Sequence, residues 1–323
     1  MKKDHTTGTV PEDHRNGVDE TTRDAGMSRR QVVRTGSLLG VSSLIGVAGI
    51  GAEGTAAPDV DSASGGGCNR PDDIVHLDYG EYDNWEDMYR MSNGERDNLE
   101  IVSSPTHDGD TALQLRVRED QHWGLSTHYD FDGGLLELNG RVNLALNSNW
   151  EMGDRTHSRI WNCAMAFGEG SAGGGVPDGT NGWSNRLYVS TRETDPDGPF
   201  HLLSYTYHMD QNQDHDYLID SNPYTVRQAE LVPGRWYEFE YYICVNTIDD
   251  GVANPDGVIR YWLDGELIYD RQDLRFTTDH ETNRIESNGP AGYYGGRYVA
   301  PKNLYSYYAN HSMALNGTFG DGC

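Results

Sequence analysis

Two short stretches hold residue types that can do chemistry together. Ser184-Asn185-Arg186 and Tyr205-Thr206-Tyr207 each set two polar side chains two positions apart. Alternate side chains of a strand point the same way. Ser184 with Arg186, and Tyr205 with Tyr207, therefore share one surface wherever their strands are neighbours. A guanidinium beside two phenols suits removal of a proton next to a carboxylate. Arginine supplies a fixed cation with paired donors, and a phenol can give or take a proton. The plainer alternative is structural, because tyrosine is a common strand residue and an arginine on a sheet is often only solvated.

These side chains need strands to carry them. The stretch Trp183–Gln211 reads as two strands joined by a turn. Further short alternating runs are Ala112–Val117, Leu135–Leu146, Asn185–Ser190, His201–Tyr207, Trp236–Val245 and Val258–Leu263. Turn signals separate them: Asp132-Gly133-Gly134, Asp197-Gly198, Pro233-Gly234, Asp264-Gly265 and Gly295-Gly296. Many short strands of this kind predict an all-β sandwich or jelly roll. Two β-rich runs around Asp264-Gly265 predict a hairpin at a sheet edge. A short helix is read over Met88–Asn98, and no internal repeat is seen.

The chain has 323 residues, with 25 Lys+Arg against 51 Asp+Glu, a net charge of −26. Such a surface has no basic patch to displace counterions, so nucleic acid is not an expected partner. Only Lys2, Lys3 and Lys302 are lysines. Acidic excess with lysine depletion resembles proteins adapted to high salt, which screens their self-repulsion. The 7 Trp, 20 Tyr and 6 Phe fall in strand-like segments and argue for a folded core.

Residues 1–57 read as a disordered polar region followed by a twin-arginine export signal. Ser28-Arg29-Arg30-Gln31-Val32-Val33 precedes a short apolar run from Gly36 to about Gly51. That run is short for a transmembrane helix, so the expectation is export without a stable membrane anchor. Residues 58–71 suit a linker, and 72–323 a single β domain, expected to be monomeric. Cys68, Cys163, Cys244 and Cys323 allow three disulfide pairings. A Cys68–Cys323 bridge would tie the ends of the domain. Cys163 and Cys244 would then be a pair or two buried thiols.

Three longer segments carry a family resemblance: GRWYEFEYYICVN, DGVIRYWLDGELIYDRQDLRF and GYYGGRYVAPKNLYSYYANHSM. With Ser184-Asn185-Arg186 and Tyr205-Thr206-Tyr207 upstream, their order resembles the alginate lyase-type polysaccharide lyases of family 14. The related glucuronan lyases of family 20 share much of the layout. The resemblance covers roughly residues 110–315. It implies a concanavalin-like jelly roll with a concave substrate groove, and β-elimination of an acidic, uronate polysaccharide. It implies catalytic roles for Arg186, Tyr205 and Tyr207, with Ser184 holding substrate or orienting Arg186. The family's pattern also has a lysine in a Gly-Lys-Leu-Pro-Gly context. Here the corresponding segment is His157-Ser158-Arg159-Ile160-Trp161-Asn162, with Arg159 as the substitute and His157 and Asn162 as alternatives.

Other candidates are read from position. His208 could be a base, although alternation puts it on the opposite face from the tyrosines. Gln211 and Asp210 would line the groove end. Tyr294, Tyr305 and Tyr307 would stack on sugars or simply pack. Asp210, Asp214, Asp216 and Asp220 could hold calcium, but they lack the spacing of a known calcium loop, and no cofactor is expected. The competing reading is a non-catalytic carbohydrate-binding or cell-surface jelly roll. A glycoside hydrolase would need two facing carboxylates, and none of the segments read as strands has the E-x-D-x-x-E pattern to supply them.

Overall fold

A computed structural model of the chain describes residues 70–109, 111–153, 157–191, 198–211, 230–296 and 298–320. The expected leader and most of the linker lie outside these residues, as do Cys68 and Cys323. The described strands are β1 (Asp73–Leu77), β2 (Arg90–Gly94), β3 (Leu99–Val102), β4 (Ala112–Val117), β5 (Trp123–Leu135), β6 (Glu137–Leu146), β7 (His157–Ala166), β8 (Trp183–Ser190), β9 (Phe200–Tyr207), β10 (Glu230–Leu231), β11 (Trp236–Cys244), β12 (Ile248–Asp249), β13 (Val252–Ala253), β14 (Gly257–Leu263), β15 (Glu266–Leu274), β16 (Ile285–Tyr293) and β17 (Leu304–Leu315).

Fifteen of them form two antiparallel sheets packed as a jelly-roll sandwich, and β12 and β13 pair with each other as a separate two-stranded ribbon. One sheet has the order β15-β14-β11-β6-β17-β4-β3, with β1 also paired to β17. The other, called here the site sheet, has the order β10-β9-β8-β7-β16-β5-β2. Leu113, Leu115, Phe239 and Tyr261 from the first sheet and Trp161, Trp183, Leu187 and Leu202 from the second are fully buried. Trp183 packs on Phe276 with ring centroids 4.3 Å apart. Burial of such rings is the main stabilising contribution to a sandwich of this kind.

Several local expectations are met, two are corrected, and one open alternative is decided. Asp264 and Gly265 both have positive φ, 51° and 80°, the geometry of the expected two-residue hairpin turn. The hairpin β14–β15 lies at a sheet edge. Asp132-Gly133-Gly134 is not a turn between strands but sits inside β5. Gly133 and Gly134 take φ of 74° and 69°. The pairing of β5 with β16 jumps there, from Ile285↔Leu135 to Ser287↔Asp130. The glycines form a bulge that lets one strand bend instead of ending. Met88–Asn98 is not a helix: β2 is flanked by single 3₁₀ turns at Trp85–Asp87 and Arg96–Asn98. Of the two alternatives for Cys163 and Cys244, the structure has the free thiols, Cys163 buried and Cys244 partly so. Cys163 is buried in the core, where loss of solvation pushes its thiol well up. No helix among the described residues is long and apolar enough to cross a membrane.

Candidate active site

Three adjacent strands of the site sheet place the candidate residues in cross-strand rows. Asn162 lies opposite Arg186, and Arg186 opposite Tyr205; Met165 lies opposite Ser184, and Ser184 opposite Tyr207. The next rows are Arg159, Tyr188 and Leu203, then His157, Ser190 and His201. The other sheet fixes which face these rows occupy. The Tyr261 hydroxyl contacts Asn185 Oδ1 at 2.7 Å and Ser204 Oγ at 3.1 Å across the sandwich. Asn185 and Ser204 therefore face the core. Alternation turns Ser184, Arg186, Tyr205 and Tyr207 to the outer face.

On β7 the alternation is broken twice. Its register with β8 shifts between Arg159 and Trp161 and again between Asn162 and Ala164. Trp161 points inward, packed on Tyr308 and His311 with centroids 5.0 and 4.9 Å away. Each bulge absorbs one residue. Arg159, Asn162 and Met165 thus share the outer face despite their odd spacing.

The outer-face side chains touch one another. Tyr188 and Tyr205 stack with centroids 4.5 Å apart and planes at 19°. Tyr207 is 5.7 Å from Tyr205. His157 is 5.6 Å from Tyr188 and 6.2 Å from Tyr205. The Arg186 guanidinium carbon lies 5.2 Å from the Tyr207 ring centre. Arg159 is boxed in, 5.3 Å from the Trp123 ring and 5.4 Å from the Tyr293 ring. These are cation–π distances. Asn162 is fully buried; its Nδ2 reaches only Ser126 Oγ, at 3.4 Å, and its Oδ1 has no hydrogen-bond partner.

Electrostatics sorts the phenols and imidazoles. Burial, reinforced by Tyr188 and Tyr207, pushes the Tyr205 hydroxyl far up, against a smaller opposite pull from Arg186. Burial also raises Tyr207, and there Arg186 is the largest opposing influence. Both phenols are therefore protonated at neutral pH and suited to donate. His128, also on the outer face, is held neutral by burial first and then by Arg90, Arg159 and Arg186. Its two ring nitrogens bond Ser92 Oγ at 2.7 Å and Ser287 Oγ at 2.9 Å, so it clips β5 to its neighbours.

The β7–β8 connection lies over the lower rows. The Ser171 carbonyl accepts from Ser184 Oγ at 2.8 Å and from Arg186 Nη2 at 2.6 Å. Gly174 N reaches the Tyr207 hydroxyl at 3.5 Å.

Placement corrects Gln211 as a groove residue and settles the open alternatives for His208 and the three tyrosines against a role in substrate contact. Gln211 does not line an open groove end: its Nε2 donates to the Gly175 carbonyl at 3.0 Å and its Oε1 accepts from His208 N at 3.1 Å. His208 follows the end of β9 and is buried, off the rows formed by the tyrosines. Tyr294 is no exposed stacking platform; it is 1% exposed and its hydroxyl bonds the Met152 carbonyl. Tyr305 and Tyr307 lie on β17 of the other sheet. The intervening residues Ser306 and Tyr308 share a hydrogen bond, and Tyr308 packs on Trp161 in the core. Tyr305 and Tyr307 therefore face away from the site sheet. Asp210 is paired with Arg275, and Asp214, Asp216 and Asp220 lie outside the described residues. Among the described residues no group of three or more His, Cys, Asp or Glu is arranged to hold a metal ion.

The sequence reading missed Tyr188 and His128. Tyr188 follows Arg186 at the same two-residue period, so the signal for it was present. His128 lies far away on β5, and only the folded sheet brings it to this face.

No protein-family model matches the sequence, and no curated protein matches it. Solved structures do. An alginate lyase Aly36B double mutant in complex with an alginate trisaccharide superposes with a TM-score of 0.59 at 20% identity, covering 75% of this chain and 98% of that one. This chain shares the Aly36B fold. A second Aly36B double mutant, in complex with an alginate tetrasaccharide, gives 0.60 at 17% identity, covering 78% and 100%. The Aly36B likeness spans the whole sandwich, and at these identities it is a likeness of fold.

Proposed function

We propose that this protein is an exported polysaccharide lyase. It would cut a uronic-acid-containing polysaccharide, of the alginate or glucuronan type, by β-elimination. The observation that carries the reading is the row Asn162–Arg186–Tyr205, beside Ser184 and Tyr207, on one face of one sheet. The shared fold with Aly36B, which binds alginate oligosaccharides, supports the substrate class.

The reaction makes three demands, and each has a candidate. The uronate carboxylate must be neutralised, so that the proton on C5 becomes acidic and the enolate-like intermediate is stabilised. Arg186 offers paired donors for this, and Asn162 lies beside it with an amide Nδ2 that can also donate. A base must take the C5 proton. His157 fits best, because an imidazole accepts a proton near neutrality more readily than a phenol and its ring neighbours Tyr205. An acid must protonate the glycosidic oxygen on C4 as the C4–O bond breaks and the C4–C5 double bond forms. Tyr205 and Tyr207, kept protonated by burial, suit this step. Arginine does not lose its proton in proteins, so Arg159 in its aromatic box is a fixed cation and not a base.

The test is an assay of the purified chain, in concentrated salt, against alginate, glucuronan and other uronans. Unsaturated ends that absorb in the ultraviolet are expected from at least one of them. Binding without such a product would overturn the lyase reading in favour of a carbohydrate-binding role.

A further inference from the structure

The β7–β8 connection has a base tied to the loop after β15 and a glycine-rich crest. At the base, the Gly179 carbonyl accepts from Thr278 N at 2.9 Å, Thr277 Oγ1 at 3.0 Å and Asn283 Nδ2 at 3.0 Å. Gly170 N donates to the Asn181 carbonyl at 2.8 Å. The crest, residues 171–175, turns through Gly173 and Gly174 at φ of 65° and 82°, and a side chain added at either would meet open space. Its inner edge is held by Ser184, Arg186 and Tyr207, and its far end by Gln211.

This crest closes the candidate site. Ser184 is 0% exposed, Tyr207 2% and Arg186 5%. A polysaccharide cannot reach these donors while the crest is in place. The crest's own Ser171 carbonyl oxygen already sits between Arg186 Nη2 and Ser184 Oγ, where a substrate oxygen would bind.

We propose that the Ser171 carbonyl occupies the carboxylate subsite, and that residues 171–175 form a gate which a uronate opens by taking Arg186 and Ser184 from it. The ligand class rests on the lyase reading above; the gate rests on these contacts. The exchange is selective by charge. A carboxylate accepts from a guanidinium through two oxygens and adds the attraction of opposite charges, which the neutral Ser171 carbonyl does not supply. A neutral sugar offers hydroxyls, which gain nothing over the carbonyl they displace. The opening cost falls on every ligand, and the uronate offsets it. Gln211 is the latch, because it ties Gly175 to the end of β9.

The observed affinity is then lowered by the fraction of molecules that are closed. Loosening the closed form should tighten binding. Gln211→Ala removes the latch. The double variant Gly173→Ala/Gly174→Ala adds side chains at two left-handed positions and so strains the closed crest without a clash. Each should lower the Kd for tetrameric oligoglucuronate or oligomannuronate by about three- to tenfold in calorimetry.

Hydrogen exchange on the wild-type chain gives an independent reading. Ser171 N is bonded to the Gly168 carbonyl at the root of the crest, and Gly175 N to the Ala172 carbonyl inside it. Their exchange should speed up when the oligouronate binds. Unchanged or slower exchange, weaker binding by both variants, or no oligouronate binding by any of the three proteins would each overturn the gate. The outcomes for catalysis are separate. Binding with crest opening but no unsaturated product would sink the lyase reading and leave the gate standing.

Discussion

At the residue scale the site depends on side chains whose roles diverge with environment. Tyr188, Tyr205 and Tyr207 share one face, and burial keeps Tyr205 and Tyr207 protonated while Arg186 works against it. Under the proposed reaction the proton acceptor would be His157, at the edge of the ring stack and only half-buried. Tyr205→Phe and His157→Gln are each expected to lower kcat by about a hundredfold or more, the usual scale of general acid–base contributions. Oligouronate affinity should stay within a few-fold of wild type. Equal losses in kcat and binding would instead mark these rings as part of the binding surface. Ser184, Arg186, Tyr205 and Tyr207 were legible from period-two spacing alone. Tyr294 was not: nothing in its local sequence shows that it packs beneath the residue 152 carbonyl.

At the element scale the face is set by what the opposite sheet holds. The Tyr261 hydroxyl of β14 binds Asn185 and Ser204, the inward neighbours of Arg186 and Tyr205. Tyr261→Phe would leave these buried polar groups short of a partner. It should cost about 1–3 kcal/mol of stability, read as a lower denaturant midpoint in concentrated salt. It should also loosen Arg186, seen as a raised KM. An unchanged midpoint would show that Asn185, Ser204 and Thr206 satisfy one another, through the bonds they already share. The strands themselves were largely readable, since alternation and turn residues are local. The two bulges of β7 were not. They follow from fitting Trp161 into the core against Tyr308 and His311, a contact between distant segments.

At the scale of the whole molecule two properties set stability. A net charge of −26 makes self-repulsion large, so the melting temperature should rise steadily as salt is added. A flat response would remove the case for salt adaptation. His311 adds a pH term. It is fully buried between the sheets, with Nδ1 bonded to the Tyr89 hydroxyl at 2.8 Å. Burial pushes its pKa down from 6.5 to about 3, with a small contribution from His76. The folded chain keeps this ring neutral, whereas the unfolded chain protonates it near 6.5. Its contribution is therefore complete above that pH and is lost as the pH falls toward 3. His311→Gln should give a shallower decline in urea midpoint between these limits than the wild type; parallel declines would exclude His311 as a cause.

The sequence by itself determined the all-β class, the hairpin at Asp264-Gly265, and the pairing of Ser184 with Arg186 and of Tyr205 with Tyr207. Each is a matter of neighbours in the chain, where backbone alternation and turn conformation act. The tertiary structure decided which strands stand side by side, and so that Asn162 faces Arg186 and that Tyr188 stacks on Tyr205. It also decided that Gln211 holds the crest instead of a sugar. Those facts depend on strand order, bulges and burial, which are set by contacts between residues far apart in the chain.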